Sequence, residues 1–224
     1  MLASLVDYKN PNSFASRLRR KRFARVLALL QAAHARHGSC KVLDVGGTQT
    51  YWNIVPMQLL RDLKVSITLL NLEATPVLSD ADVFSSVAGN ACDLSPFADG
   101  SFDLVHSNSV IEHVGSWHDM CRMAAEVRRV GKAYYMQTPY FWFPVEPHFI
   151  FPLIHWLPMS WRYRLAMLRP LGTWRKASTV QEAMAAQQSA VLLDLSMVCA
   201  LFPDATVSFE WFLGLPKSVV AYRG

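Results

Sequence analysis

Lys41-Val-Leu-Asp-Val-Gly-Gly47 is a short apolar run that closes on two glycines. A run of this length bounded by glycine reads as a buried strand. Gly46-Gly47-Thr48 makes a tight turn, and residues 52–63 beyond it read as a helix in which Pro56 is tolerable only in the first turn. Working outward, residues 66–72, 83–88, 102–107 and 132–137 read as further strands, and residues 13–36, 116–130 and 178–201 as helices. Short apolar strands alternating with helices imply a parallel sheet covered on both faces. Residues 206–212 and 218–222, separated by Gly214 and Pro216, read as an antiparallel hairpin closing the sheet. The expectation is a seven-stranded, mostly parallel α/β sheet with a C-terminal antiparallel hairpin.

The chain has 224 residues, which suits one α/β domain with insertions. At 52% hydrophobic and 17% charged it is neither disordered nor fibrous. Its net charge of +5 is local. Arg17, Arg19, Arg20, Lys21, Arg22 and Arg25 crowd one helix, and without them 16 basic residues face 17 acidic ones. Such a face meets water, phosphates or anionic headgroups. Phe23 is the one aromatic among these charges, so a specific nucleic-acid reader is not expected. The four cysteines lack paired spacing, which points to a reducing, cytoplasmic setting. Residues 1–12 lack the pattern of a secretory leader. No stretch reaches the roughly 18 apolar residues of a membrane span.

Ligands of open α/β sheets bind at the carboxyl ends of the strands. Here the first strand delivers Asp44 and Gly46-Gly47, and the second delivers Asn71 and Glu73, able to accept from ribose hydroxyls. The turn after the third offers Gly89-Asn90-Ala91 and Asp93, and the fourth ends at Ser107-Asn108-Ser109. A dinucleotide fold would want Gly-x-Gly-x-x-Gly, whereas residues 46–51 read Gly-Gly-Thr-Gln-Thr-Tyr. Ser107 and Ser109 lack the Gly-x-Ser-x-Gly elbow of a serine hydrolase.

Four pieces in order carry a family resemblance: Val42-Leu-Asp-Val-Gly-Gly47, Gly89-Asn-Ala-Cys-Asp93, Pro96-Phe-Ala-Asp-Gly-Ser-Phe-Asp103 and Ser109-Val-Ile-Glu-His-Val114. Over residues 40–138 the chain resembles the class I S-adenosylmethionine-dependent methyltransferases, the branch that includes quinone-biosynthesis-like enzymes. The resemblance implies a Rossmann-like sheet with helices on both faces, S-adenosylmethionine as cofactor and methyl transfer as activity. It implies that Asp44 and Gly46 border the methionine moiety and that Gly47 lets the backbone pass close to the cofactor. Glu73, or Asn71, would hold the ribose diol. Asn90, where the family usually has Asp, and the Ala91 N–H would meet the adenine, and Asp93 is counted with the cofactor-binding residues of that turn. Ser107 or Asn108 would lie near the sulfonium. Thr48 and Thr50 stand where the family often has glycine.

Residues 139–176 break the rhythm with Pro144, Pro147, Pro152 and Pro158, four Trp, and Phe141, Phe143, Phe149 and Phe151. A segment this long and irregular is often functional. It reads as a substrate lid, as an interfacial surface for peripheral membrane contact, or as plain packing or a dimer contact. It carries Glu146, His148 and His155, while His113 follows the fourth strand. His148, His113 and Glu146 are the candidates for acid–base work on an oxygen or nitrogen nucleophile. His118 and Cys121 share a helix face but lack two further ligands, so no metal is expected. Tyr51 and Trp52 serve either cation–π contact with the sulfonium or packing of the first helix.

The sequence is thus read as a single methyltransferase domain over 1–224. It comprises a basic helical cap (1–38), a cofactor-binding core (39–138), an aromatic, proline-rich substrate lid (139–176) and a last helix with the terminal hairpin (177–224). The expected reaction is metal-independent methyl transfer from S-adenosylmethionine to a small-molecule or lipid- or glycan-linked acceptor. The alternative is a catalytically silent binding or scaffold protein of the same fold, associated with a membrane surface.

Overall fold

A computed structural model describes residues 14–77 and 79–224, with side chains from Phe23 onward. The basic residues Arg17, Arg19, Arg20, Lys21 and Arg22 therefore lie outside the described side chains. Arg25 lies inside them and sits 4.1 Å from the centre of the Tyr222 ring. The first helix, Phe14–His37, buries Phe23, Val26, Leu30 and Ala33, which recur at helical spacing, and half-buries Leu27.

Among the described residues seven strands form one sheet: β1 (Cys40–Val45), β2 (Val65–Asn71), β3 (Phe84–Ala88), β4 (Phe102–Asn108), β5 (Gly131–Pro139), β8 (Thr206–Phe212) and β9 (Leu215–Arg223). The order is β3-β2-β1-β4-β5-β9-β8. The two short strands β6 (Val145–Glu146) and β7 (Phe151–Pro152) pair antiparallel on their own. β1 runs parallel to β2 and to β4, and β2 parallel to β3. β8 and β9 are joined by Leu213 and Gly214, both at positive φ (49° and 79°). Positive φ at both central residues is what a two-residue hairpin of matching twist requires. The sheet is the Rossmann-like, mostly parallel arrangement with a C-terminal antiparallel pair expected above.

β1 and β5 are buried along nearly their whole length, which explains their near-continuous apolar reading. Cys40 and Cys92 are buried, whereas Cys121 and Cys199 are exposed. By compactness the chain divides into two units. Among the described residues, one comprises 14–77, 79–108, 121–136 and 222–224, and the other 109–120 and 137–221.

Two helices expected as continuous are broken. Residues 52–63 give Gln49–Trp52 and Met57–Asp62, because Pro56 holds an extended backbone (ψ 130°) before the second helix. Proline also disfavours helical geometry in the residue before it. Residues 178–201 give Val180–Gln188 and Leu195–Leu201. Each has its own N-cap: the Thr179 side chain accepts from the Glu182 N–H, and Asp194 accepts from the Met197 N–H. Residues 139–176 are more ordered than their composition implies. They hold the β6–β7 pair, a 3-10 turn at Ile154–Trp156 and the helix Met159–Leu168. Phe149, Ile154, Ala166, Leu171 and Ala183 form a core of their own there. Gly172, at φ +56°, closes it, since a Cβ there would lie 1.7 Å from the Phe149 carbonyl oxygen.

Candidate active site

In the first unit, strand register brings the glycine turn together with the ends of its neighbours. Val45 is level with Leu70 of β2 and with Ser107 of β4. The Gly46 N–H donates to the Leu70 carbonyl (2.7 Å), and Gly46 takes φ +69°, a conformation that favours glycine. The Asn71 amide donates to the Gly47 carbonyl (3.0 Å), pinning the turn to β2. The Gly89 N–H donates to the Asn71 carbonyl (2.7 Å), tying in the turn after β3. Gly46, Gly47, Asn71, Gly89, Ser107 and Asn108 therefore gather at one edge, and exposed Glu73 follows two residues beyond Asn71.

Asp44 is almost fully buried, and both its oxygens are engaged. The Trp52 Nε1–H donates to Oδ2 (2.8 Å), and His106 Nδ1 bonds Oδ1 (2.6 Å). Tyr51 stands over the His106 ring at 4.9 Å, and Phe23 meets Trp52 edge-on at 5.6 Å. Trp52 is accordingly a core residue holding Asp44. Gly47 also has a packing reason, since a Cβ there would lie 1.8 Å from Asp44 Oδ2. Asn90 accepts the Cys92 N–H through its side-chain oxygen (2.9 Å). Asp93 accepts from the Ser95 N–H (3.2 Å), and the Ser95 hydroxyl holds its carboxyl below the usual range. Ala91 between them is buried. The Ser107 hydroxyl oxygen is buried without a hydrogen-bond partner.

The second unit brings His148, Glu146 and His113 together. Glu146 is buried on β6; one oxygen takes the Phe149 N–H (2.6 Å) and the other faces His148 Nδ1 (2.6 Å). That hydrogen bond, donated to the Glu146 carboxylate, raises the His148 imidazole above its ordinary value, against the opposing effect of burial. His113 Nδ1 donates to the Ser189 carbonyl (2.7 Å). With both Nδ1 atoms donating, the two Nε2 atoms face each other at 3.1 Å. Beside them Glu112 is buried; its Oε2 accepts from the Thr138 hydroxyl (3.0 Å), and its Oε1 has no partner. Burial pushes the Glu112 carboxyl up. His155 lies apart: its Nε2 donates to the Phe141 carbonyl (2.8 Å), and burial lowers its imidazole. His118 and Cys121 are exposed.

Sequence reasoning missed His106 and Glu112. His106 is one alternate position in a buried strand, with no pattern of its own. Glu112 carried a signal, its adjacency to His113, but its burial is a property of the fold.

Residues 56–133 match the family model described as a methyltransferase domain. Two uncharacterized proteins of Mycobacterium tuberculosis are 30% identical over 86 residues, a stretch that spans 35% of this chain and only 29% of each relative. Among solved structures, one described as a possible exported protein from Bordetella parapertussis aligns with a TM-score of 0.51. It is 12% identical, over 89% of this chain and 67% of that one. A SAM-dependent methyltransferase from Methanosarcina mazei gives a TM-score of 0.48 at 16% identity, over 83% of this chain and 92% of that one. The matched stretch runs from the helix before β2 to the start of β5.

Proposed function

We propose that this protein is an enzyme that transfers the methyl group of S-adenosylmethionine to a small-molecule or lipid- or glycan-linked acceptor. The observation that carries the reading is the carboxyl edge of β1, β2 and β4, within a chain whose residues 56–133 match a methyltransferase domain. The residues there fit the cofactor: a buried Ser107 hydroxyl lacks a partner, and the Gly46-Gly47 turn leaves the backbone uncovered. S-adenosylmethionine supplies an electrophilic sulfonium methyl. Gly46, Gly47 and Ser107 would hold its amino-acid end, Glu73 and Asn71 its ribose, and the turn at Asn90, Ala91 and Asp93 its adenine. Asp44 acts indirectly, locking Trp52 and His106 beneath the turn.

Displacement at a methyl group depends on positioning and exclusion of water. An oxygen or nitrogen acceptor also loses a proton, and the Glu146–His148–His113 chain is built to take one. Two Nε2 atoms 3.1 Å apart can hold one incoming proton between them, and the Glu146 carboxylate faces the ring that would carry its charge. Exposed Trp142, Trp156 and Trp161 in the same unit support an amphiphilic acceptor. A non-catalytic binding protein is the second reading, favoured by Thr48 and Thr50 and by the engagement of the Asn90 oxygen in its own turn.

Thermal shift with S-adenosylmethionine, S-adenosylhomocysteine and NAD in parallel tests this. A ligand at 100 times its dissociation constant stabilises by about 2.7 kcal/mol. Stabilisation by the first two alone, lost in Glu73→Ala, supports the enzyme; no shift at millimolar ligand would favour the binding protein.

A further inference from the structure

We propose that Glu112, His113 and His148 form a site for one divalent transition-metal ion, held by a carboxylate oxygen and two imidazole Nε2 atoms. A ligand atom from each residue lies within 4.8 Å of the other two. Each histidine is oriented in the manner of a metal ligand. Nδ1 of His148 is fixed by Glu146 and that of His113 by the Ser189 carbonyl, and this leaves both Nε2 lone pairs directed inward. Two lone pairs facing at 3.1 Å repel unless something positive lies between them. A tetrahedral ion about 2.0–2.1 Å from each nitrogen sets them about 3.3 Å apart, close to the spacing found.

The carboxylate is the independent observation. Glu112 is only 1% exposed, yet its Oε1 has no hydrogen-bond partner while Oε2 is held by Thr138. A buried carboxylate oxygen without a donor is costly unless a cation or a proton meets it. Three protein ligands leave a fourth position, which the exposure of His113 opens to solvent, the pattern of a catalytic rather than a structural ion. Two imidazoles and one carboxylate suit Zn2+, Fe2+, Co2+ or Mn2+ better than Mg2+, which prefers an all-oxygen shell. The site stands on its own geometry. Its use, placing an acceptor oxygen on the open position, rests on the methyl-transfer reading; with an ion bound the two imidazoles are ligands and no longer proton acceptors, and the sequence-based expectation of a metal-free reaction is replaced.

The test is Co2+ titration of the chelator-treated full chain, followed by the visible absorption of the ion, with Zn2+ as competitor. One equivalent should bind and be displaced by Zn2+. His113→Gln and His148→Gln should each weaken Co2+ binding about 100-fold or more, and Glu146→Gln by about 10–100-fold through the ring it orients. Glu112→Gln, which keeps an acceptor for Thr138, serves as the variant least prone to misfold. Absence of a Co2+ spectrum, or equal binding by all variants, would overturn the site and leave a shared proton in its place. Thermal shift with S-adenosylhomocysteine on the same samples separates the two readings. A shift without Co2+ binding defeats the metal alone, whereas Co2+ binding without a shift defeats the methyl-transfer reading and leaves the site standing.

Discussion

Ser107 buries a hydroxyl whose oxygen finds no partner, at the end of the strand beside the glycine turn. Removing such a group relieves a desolvation penalty, so Ser107→Ala should keep or slightly raise the melting temperature. If that hydroxyl serves the cofactor, the same variant should weaken S-adenosylhomocysteine by about 2–10-fold, the worth of one hydrogen bond. Calorimetric titration beside a melting curve reads both, and an unchanged affinity would remove Ser107 from the site. Gly47 is the opposite case. Its missing Cβ makes room for the Asp44 carboxylate, so Gly47→Ala should cost about 1–3 kcal/mol. The melting temperature should fall by roughly 2–12 °C. A variant as stable as the parent would mean that Asp44 can move aside.

Among elements, the breaks matter as much as the runs. Asp194 starts the helix Leu195–Leu201 by accepting from the Met197 N–H (2.9 Å) and the Ser196 hydroxyl (2.6 Å). Those bonds, the hydroxyl first, hold its carboxyl below the ordinary range. Its folded value being lowered, its contribution is fully present above the unfolded value of about 4 and fades as pH falls through the folded one. Asp194→Ala should therefore cost about 0.5–1 kcal/mol at pH 7, the low end for a cap because the site is partly solvated. The deficit should shrink below pH 4, as urea unfolding at pH 7 and pH 3 would show. A deficit that stays constant with pH would assign the loss to helix propensity. The strands were legible because buried parallel strands are written as unbroken apolar runs, and β1, β2, β4 and β5 fell within two residues of their expected bounds. The helix breaks at Pro56 and Asp194 were harder. Apolar periodicity continues across both, and only the cap geometry shows where one helix ends and the next begins.

At the scale of the molecule, the candidate residues were legible as types and as positions in the chain, while their partners were not. His113 and His148 lie 35 residues apart, and nothing in their spacing announces that their rings meet at 3.1 Å. Asp44 read as a ligand contact because it ends a strand, but the fold turns it inward onto Trp52 and His106. The second unit exposes Trp142, Trp156, Trp161 and Leu168, the last at 72%. No helix among the described residues is long and apolar enough to cross a membrane. If this surface meets amphiphilic acceptors, the protein should pellet with vesicles containing anionic lipid at low salt. Trp161→Ala should reduce the pelleted fraction several-fold. Electrostatic attraction weakens as salt shortens the Debye length, whereas apolar contact persists, so vesicles at two salt concentrations apportion the two. No pelleting at either would restrict the acceptor to soluble molecules.

The four thiols give the chain a built-in clock. Cys40, in the middle layer of the sheet, has its thiol pushed up to about 12 by burial, with Asp103 adding to the effect. Reagent can reach it only when β1 leaves its neighbours. Cys121 and Cys199 are open to solvent and react at once. A labelling trace with two fast and two slow equivalents would time the opening of the first unit, and a cofactor bound at the end of β1 should slow that clock without touching the fast pair.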